Sequence, residues 1–482
     1  MDHTKRPVVE ALQKFLATRP VSFHVPGHKH GLLSKLPEDL KAALRYDVTE
    51  LTGLDDLHAP AEMLAEAQRM LADVYGAGQS FFLVNGSTVG NLAMIRTVCS
   101  PGDTLLVQRN AHKSVFHAME LAGVQAVLLT PEWDETTCTA GAVSSATVEE
   151  ALERHIDAKG VVVTYPTYYG TTGSELQTIV ECAHERGIPV LVDEAHGAHF
   201  VIGSPFPVSA LGAGADIVVQ SAHKTLSAMT QASFLHVNST LVDIHKLTHT
   251  LSMLQTSSPS YMLLASLDDA RAMVAGYSED DKQAFLAWRS EFIRQLKKVK
   301  ALEVIETEDP LKILLRQKEA SGYTLQHALE EAGIYTELAD ERQVLFVLPL
   351  LTEGTAYPID PICKAVDSAV QQLQSSAVKV PEKDEPLEEE PRKFFVTTSS
   401  QSKKDTEWVS AESAIGCQTA AAIIPYPPGI PLVLSGEHLN LHQIQEICHM
   451  TESGAKFQGA VRINGSETEI EVLSAQGEDR NG

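Results

Sequence analysis

The chain has 482 residues, of which 44% are hydrophobic and 21% are charged, and its formal net charge is −25. A chain of this length can bury several cores, so we expect a globular protein of two to four domains. The acidic balance argues against nonspecific binding to nucleic acid, because phosphate contacts need clustered lysine and arginine.

The N-terminus and the cysteines indicate a cellular location. Residues 1–7 lead into an amphipathic stretch rather than the apolar core of a signal peptide, and no apolar run approaches membrane-spanning length. The six cysteines lack the close spacing of zinc sites and disulfide frameworks. We therefore expect a cytoplasmic protein that holds no metal and does not enter a membrane.

Residues 1–60 are expected to form an N-terminal arm with pocket loops. The segment 23–31 contains three histidines together with proline and glycine. Proline and glycine favour an ordered loop that shapes a pocket or a subunit contact. Metal binding by the histidines is the alternative, although no carboxylate or thiolate partner is evident in the segment.

Residues 61–275 are expected to form the largest domain, because apolar strand-like runs alternate there with helix-length segments. This alternation predicts a mostly parallel sheet with helices on both faces, and such a sheet binds ligands at the carboxyl ends of its strands. The runs are 81–84, 104–107, 126–129, 160–163, 189–192 and 216–219.

Residues 276–376 are expected to form a smaller α+β domain, beginning with a helix whose aromatic stripe is core packing. Residues 377–393 contain many acidic residues and prolines, which is typical of a solvated linker. Residues 394–482 are then expected to form a C-terminal α+β domain.

A small-residue segment, 85–91, follows the first predicted strand of the sheet, and a helical stretch begins near Val89. The hydroxyls of Ser87 and Thr88 could join free amides at the helix N-terminus in holding a phosphate dianion. An ordinary N-cap with a glycine turn is the simpler alternative.

His112 follows the strand predicted at 104–107 and therefore reaches the same edge of the sheet. Its imidazole could stack on a flat heteroaromatic ring. Alternatively, it is one of 19 histidines that simply caps a helix.

Asp193 and Lys224 each follow a buried strand. A lysine in this place can form a Schiff base, and an aspartate on a neighbouring strand can hold a pyridine nitrogen protonated. Together they indicate pyridoxal 5′-phosphate as the cofactor. A metal site of Asp193, His196 and His199 is the competing interpretation, although the HxxH spacing fits one helix face poorly.

Eight segments together resemble the ornithine/lysine/arginine decarboxylase family of pyridoxal phosphate enzymes, and most closely its short bacterial arginine decarboxylases. They occur in the family's order along nearly the whole chain: 23–31, 53–58, 85–88, 109–114, 193–197, 221–224, 256–261 and 424–431. The resemblance implies an aspartate-aminotransferase fold. It also implies decarboxylation of arginine, lysine or ornithine to CO2 and an amine of the polyamine pathway.

The resemblance assigns roles to individual residues. Lys224 would be the Schiff-base lysine, Asp193 the partner of the pyridine nitrogen and His112 the residue stacked on the ring. A lysine or a histidine such as His196 would return the proton. The phosphate would be surrounded by Ser87, Thr88, Ser221 and His223, with Thr256 reaching it from a neighbouring subunit of a dimer or a dimer of dimers.

Two positions depart from the family pattern, since relatives tend to carry tryptophan at His196 and a basic residue at Cys417. Both could alter the choice among the three substrates. The carboxylate that binds the distal cation could be Asp55, Asp56 or Glu412. An aminotransferase or another lyase on the same fold, or a non-catalytic regulator that binds the cofactor, would share the cofactor residues.

Overall fold

A computed structural model describes residues 1–375, 396–397, 405–465 and 467–474 of the chain. The linker predicted at 377–393 lies outside the described residues. The boundaries predicted for the domains stay predictions.

The α-helices of the described residues are α1 Pro7–Ala17, α2 Glu38–Ala43, α3 Met63–Tyr75, α4 Gly86–Val98, α5 Lys113–Ala122, α6 Ser145–Arg154, α7 Leu176–His184, α8 Ala222–Thr225, α9 Ile244–Leu254, α10 Tyr261–Ala275, α11 Glu279–Leu296, α12 Gly322–Glu331, α13 Asp360–Ser375 and α14 Leu441–Glu452. Side-chain caps explain several of the helix starts. Ser278 and Asp281, for example, form a reciprocal capping box at the beginning of α11.

The β-strands of the same residues are β1 Gln79–Leu83, β2 Thr104–Gln108, β3 Gln125–Leu129, β4 Trp133–Asp134, β5 Thr139–Ala140, β6 Val161–Thr164, β7 Val190–Asp193, β8 Ile217–Gln220, β9 Ser233–Val237, β10 Leu302–Glu306, β11 Lys312–Gln317, β12 Leu338–Ala339, β13 Val344–Val347, β14 Val396–Thr397, β15 Thr406–Ser410, β16 Ile423–Pro425, β17 Phe457–Gly459, β18 Val461–Asn464 and β19 Glu467–Leu473.

The largest sheet has the strand order β1-β9-β8-β7-β6-β2-β3-β14. Its five central strands, from β8 to β3, are parallel, which confirms the predicted α/β class. β9 is antiparallel to both β1 and β8, and the sequence analysis missed it. Because two reversals restore the direction, β1 still ends at the same edge as the parallel strands.

Alternating burial explains why this sheet lies inside the molecule. Val161 and Val163 pack into the apolar cluster on one face, whereas Val162 packs into the cluster on the other face. A strand with both faces buried needs a continuous apolar run, because successive side chains point to opposite sides. Polar residues follow these strands at their carboxyl ends, at one edge of the sheet.

The remaining sheets belong to the later parts of the chain. A four-stranded antiparallel sheet of order β10-β11-β13-β12 packs with α11, α12 and α13. A three-stranded sheet, β15-β19-β18, lies with α14 in the C-terminal part. No helix among the residues described is long and apolar enough to cross a membrane.

Candidate active site

A cavity lies at the carboxyl edge of the large sheet, where β2, β6, β7 and β8 end. Five of the residues predicted for the site line it: Ser87, His112, Asp193, His196 and Lys224. The same cavity is also lined by Asn110, Thr164, Tyr168 and Ile430, among others. Parallel strands bring these distant residues together because their carboxyl ends meet at one edge.

The amine of Lys224 points into this cavity from the short helix α8, directly after β8. Its Nζ lies 2.9 Å from Nε2 of His196 and 5.2 Å from the ring centroid of Tyr168. Burial lowers the pKa of Lys224 from its ordinary value, and the negative charge of Asp193 opposes this change. A lowered pKa makes the neutral, nucleophilic amine easier to reach.

Asp193 ends β7 and is almost completely buried, with 2% of its surface exposed. Its Oδ2 accepts a hydrogen bond of 2.8 Å from Nδ2 of Asn91, and its Oδ1 accepts one of 3.2 Å from the amide of Ala195. These bonds fix the carboxylate in one orientation. Asn91 was not predicted as a site residue, although it lies in the small-residue segment that the sequence analysis singled out.

His112 is the N-cap of α5, since Nδ1 accepts a bond from the amide of Ser114. It therefore caps a helix and also lines the cavity. Burial lowers its pKa to about 4, so the imidazole is neutral near neutral pH. Gly429 of the C-terminal part approaches it closely, because a Cβ at Gly429 would lie 3.0 Å from Nε2 of His112.

Ser87 lies in the first turn of α4, which begins at Gly86 rather than near Val89 as predicted. Gly86 starts the helix early because its positive φ of 76° makes the turn and its amide bonds to the carbonyl of Gln231. No side chain caps the helix. The segment therefore does not form the ordinary N-cap that was the alternative interpretation. Ser221 donates a 2.8 Å hydrogen bond to the hydroxyl of Ser87. Thr88 is exposed in the next position.

His196 lines the same cavity as Asp193. Its ring lies 4.2 Å from that of Tyr168, centroid to centroid. Burial, followed by the positive charge of Lys224, lowers the pKa of His196 well below its ordinary value. Its Nδ1 is buried and has no hydrogen-bond partner among the described residues. A buried nitrogen of this kind is available to a bound molecule.

Four predicted cofactor residues are not among those that line the cavity: Thr88, Ser221, His223 and Thr256. Nδ1 of His223 lies 3.0 Å from the carbonyl oxygen of Ala232, and Thr256 is exposed on the surface of this single chain. Exposure of Thr256 is compatible with the predicted contact to a neighbouring subunit, which stays a prediction.

The competing metal site does not form in the described residues. Nε2 of His199 lies 2.9 Å from Oδ1 of Asp309, in the part of the chain predicted as the smaller domain, so this nitrogen already has a partner. No group of three metal-ligating side chains gathers anywhere within the ranges described.

Asp55, one of the carboxylates considered for binding the distal cation, instead stabilises the start of a helix. It accepts bonds from the amides of Ala61, Glu62 and Leu64 and so holds the start of α3. Asp56 accepts a bond from the amide of His58.

Glu337, which sequence reasoning missed, is a carboxylate next to the cavity. Its Oε1 accepts a 2.8 Å hydrogen bond from the hydroxyl of Tyr168. Its negative charge also acts to raise the pKa of Lys224. No sequence pattern indicated Glu337, because it precedes a strand of only two residues, β12, outside the part of the chain predicted as the large domain.

The cavity residues fit pyridoxal phosphate. Lys224 offers an amine for the aldehyde, and Asp193 offers an oriented carboxylate for the pyridine nitrogen. The start of α4, where no side chain caps the helix and Ser87 offers a hydroxyl, suits a phosphate group. The unpartnered Nδ1 of His196 is a further polar contact that the bare protein leaves unused.

Comparisons with known proteins show the family of the chain. The model of the Orn/Lys/Arg decarboxylase major domain matches residues 6–317, and that of the C-terminal domain of the same enzymes matches residues 389–478. The uncharacterized protein YaaO of Bacillus subtilis is 46% identical over 475 residues, covering 95% of this chain and 96% of YaaO. The arginine decarboxylase of B. subtilis is 33% identical over 477 residues, covering 95% and 96% of the two chains.

Among solved structures, lysine decarboxylase A from Pseudomonas aeruginosa has a TM-score of 0.76 at 20% identity, covering 97% of this chain and 80% of that chain. This similarity confirms the predicted fold with its large, small and C-terminal parts. The family models together span most of the sequence, so the chain belongs to the Orn/Lys/Arg decarboxylase family.

Proposed function

We propose that the protein removes the α-carboxylate of a basic amino acid as CO2, with pyridoxal phosphate as its cofactor. The observation that carries the proposal is the convergence of Lys224, Asp193 and His112 on one cavity. When bound, pyridoxal phosphate supplies an electron sink for the pair of electrons that the departing CO2 leaves behind. Family membership and the full-length relative named arginine decarboxylase support the same reaction.

The cofactor residues have distinct tasks in this proposal. Lys224 is the amine that binds the cofactor, Asp193 keeps the pyridine nitrogen protonated, and the neutral ring of His112 stacks on the heterocycle. Ser87, with the amides that begin α4, holds the phosphate, and Ser221 orients the hydroxyl of Ser87. Thr88, His223 and a partner's Thr256 are proposed as outer contacts of the phosphate.

Lys224 and His196 are the proposed proton carriers. The 2.9 Å contact between Lys224 Nζ and His196 Nε2 allows a proton to pass between them. Because burial lowers both pKa values, the neutral imidazole of His196 can accept a proton, and Lys224 gives up its proton more readily than an exposed lysine. Either side chain then returns a proton to Cα of the product.

The substrate's distal cation is proposed to lie near Glu337 and Tyr168. Glu337 is a carboxylate close enough to the site for its charge to act on Lys224. A guanidinium suits a bidentate carboxylate, whereas an ammonium needs only a compact acceptor. We place arginine first, then lysine, then ornithine, because arginine is the substrate in the name of the relative aligned along the full length.

The proposal is tested by supplying arginine, lysine and ornithine separately to cofactor-loaded enzyme and identifying the products by mass spectrometry. We expect CO2 and the matching amine without any added keto acid. A requirement for a keto acid would show an aminotransferase, and binding without turnover would show a regulator. Lys224→Ala should abolish turnover and borohydride labelling of the site, whereas Lys282→Met on α11 should preserve both.

A further inference from the structure

A buried lysine lies where the smaller domain meets the cavity wall, and the reaction proposed above does not use it. Lys312 begins β11, and none of its side chain is exposed. Its Nζ donates hydrogen bonds of 3.2 Å to the carbonyl of Thr167 and 2.8 Å to the carbonyl of Tyr168. Both carbonyls belong to the loop after β6, so the ammonium joins the small sheet to the wall of the cavity.

This loop matters because it carries Tyr168. The Tyr168 ring packs 4.2 Å from the His196 ring and lies 5.2 Å from Nζ of Lys224, measured to its centroid. A shift of the backbone that Lys312 holds would therefore move the aromatic wall beside the reactive amine.

The carboxylate of Asp309, which is buried in a pair with His199, favours the charged form of the lysine. Oδ1 of Asp309 lies 2.9 Å from Nε2 of His199, and neither side chain is exposed. The charge of Asp309 acts to raise the pKa of Lys312, whereas burial lowers this pKa to about 7. An isolated buried cation would be costly, and the negative charge of Asp309, three residues earlier in the chain, favours the charged form of Lys312.

The junction is closely packed at one glycine. Gly170 has a φ of +96°, and a Cβ there would lie 2.6 Å from Oγ1 of Thr307 and 3.0 Å from Cδ of Lys312. The amide of Asp309 also bonds to the carbonyl of Gly170 at 3.1 Å. The small domain therefore holds the loop through a backbone hydrogen bond as well as through the side chain of Lys312.

We propose that Lys312 is a positioning residue: its ammonium fixes the 167–168 backbone, and with it Tyr168, against His196 and Lys224. It acts through Tyr168 and through its charge, without touching the substrate. This inference rests on the proposed function in one respect: the measurement of kcat requires the proposed reaction, whereas the absorbance titration does not.

The test compares Lys312→Met with Lys282→Met in cofactor-loaded enzyme. Lys282 is a matched control, since its Nζ pairs with Glu279 at 2.6 Å on α11. We expect Lys312→Met to lower kcat by about a hundredfold, because small misplacements of catalytic groups have effects of this order. We also expect the pH titration of the visible cofactor absorbance, which follows the nitrogen of Lys224, to move upward, because the variant removes a positive charge that acts on Lys224.

A merely structural role would lower only the unfolding temperature, and unchanged kcat, KM and titration in Lys312→Met would overturn the proposal. If Lys312→Met does not fold, Lys312→Gln decides, because glutamine keeps a donor for the carbonyls but lacks the charge. An upward titration in Lys312→Gln supports the proposal, and an unshifted one refutes it. Absence of decarboxylation in the wild type would refute the proposed function alone, since the titration still reports on Lys312.

Discussion

Nδ2 of Asn91 donates hydrogen bonds of 2.8 Å to both Oδ2 of Asp193 and Oγ of Ser114. Oγ of Ser114 in turn lies 2.8 Å from Nδ1 of His112. One amide on α4 therefore orients both the carboxylate and, through a hydroxyl, the imidazole. We infer that Asn91 keeps these two groups in register with the helix start that carries Ser87.

Asn91→Ala should lower kcat/KM by about a hundredfold, because Asp193 loses its side-chain donor and can rotate. Affinity for the cofactor should fall as well. The measurements are steady-state kinetics and cofactor titration, with Asn238→Ala as an exposed control. Wild-type kinetics in Asn91→Ala would contradict the orienting role.

Gly429→Ala should reduce activity more than its effect on stability explains. The new methyl would lie 3.0 Å from Nε2 of His112, and the residue has a φ of +92°. Gly416→Ala is a matched control, because Gly416 has a φ of +83° and nothing within 4 Å of the added methyl. Equal losses of kcat in the two variants would indicate backbone strain alone.

Acid should destabilise the protein partly through His236, which is fully buried between Ser80 and Gln220. Burial lowers its pKa to about 3 from 6.5, so the unfolded chain binds the proton first as the pH falls. This stabilisation is complete above about pH 6.5 and is lost progressively toward pH 3. Lowering the pH from about 6.5 to about 5 therefore reduces the free energy of unfolding by about 2 kcal/mol through His236.

His236→Gln should remove that part of the pH dependence. The measurement is the free energy of unfolding in urea near pH 7 and near pH 5, compared as a difference between the two conditions. The exposed His327→Gln serves as the control. An identical pH dependence in wild type and His236→Gln would be the contrary result.

Arg271→Met should lower the free energy of unfolding by about 3–5 kcal/mol, because it leaves Asp268 as an uncompensated buried charge. The two side chains have no exposed surface and pair at 2.7 Å. Arg271 also donates to the carbonyl oxygens of His3 and Lys5, which holds the N-terminal segment on α10.

The matched control for this pair is Arg294→Met, which removes an exposed ion pair with Glu291 and should change stability by less than about 1 kcal/mol. The double variant Arg271→Met with Asp268→Asn should be less destabilised than the sum of the two single variants. Strict additivity would argue against coupling between the two buried charges.

The sequence predicted the residues that follow buried parallel strands, because a strand with two buried faces must be a continuous apolar run. Lys224 and Asp193 are marked by this pattern. It could not predict β9, whose run Ser233–Val237 mixes polar and apolar residues, since Ser233 and His236 are buried through hydrogen bonds rather than through apolarity. Contacts of this kind are decided by neighbours distant in the chain.

The amino-acid sequence by itself thus determined the large sheet, its reactive edge and the chemistry that a lysine and an aspartate can perform there. Only the tertiary structure decided which other groups meet them: Tyr168, Glu337, Asn91 and Lys312. The physical reason is that strand periodicity is a local property of the chain, whereas a hydrogen bond between Lys312 and the Tyr168 carbonyl joins positions 144 residues apart. Such contacts exist only after the domains have packed.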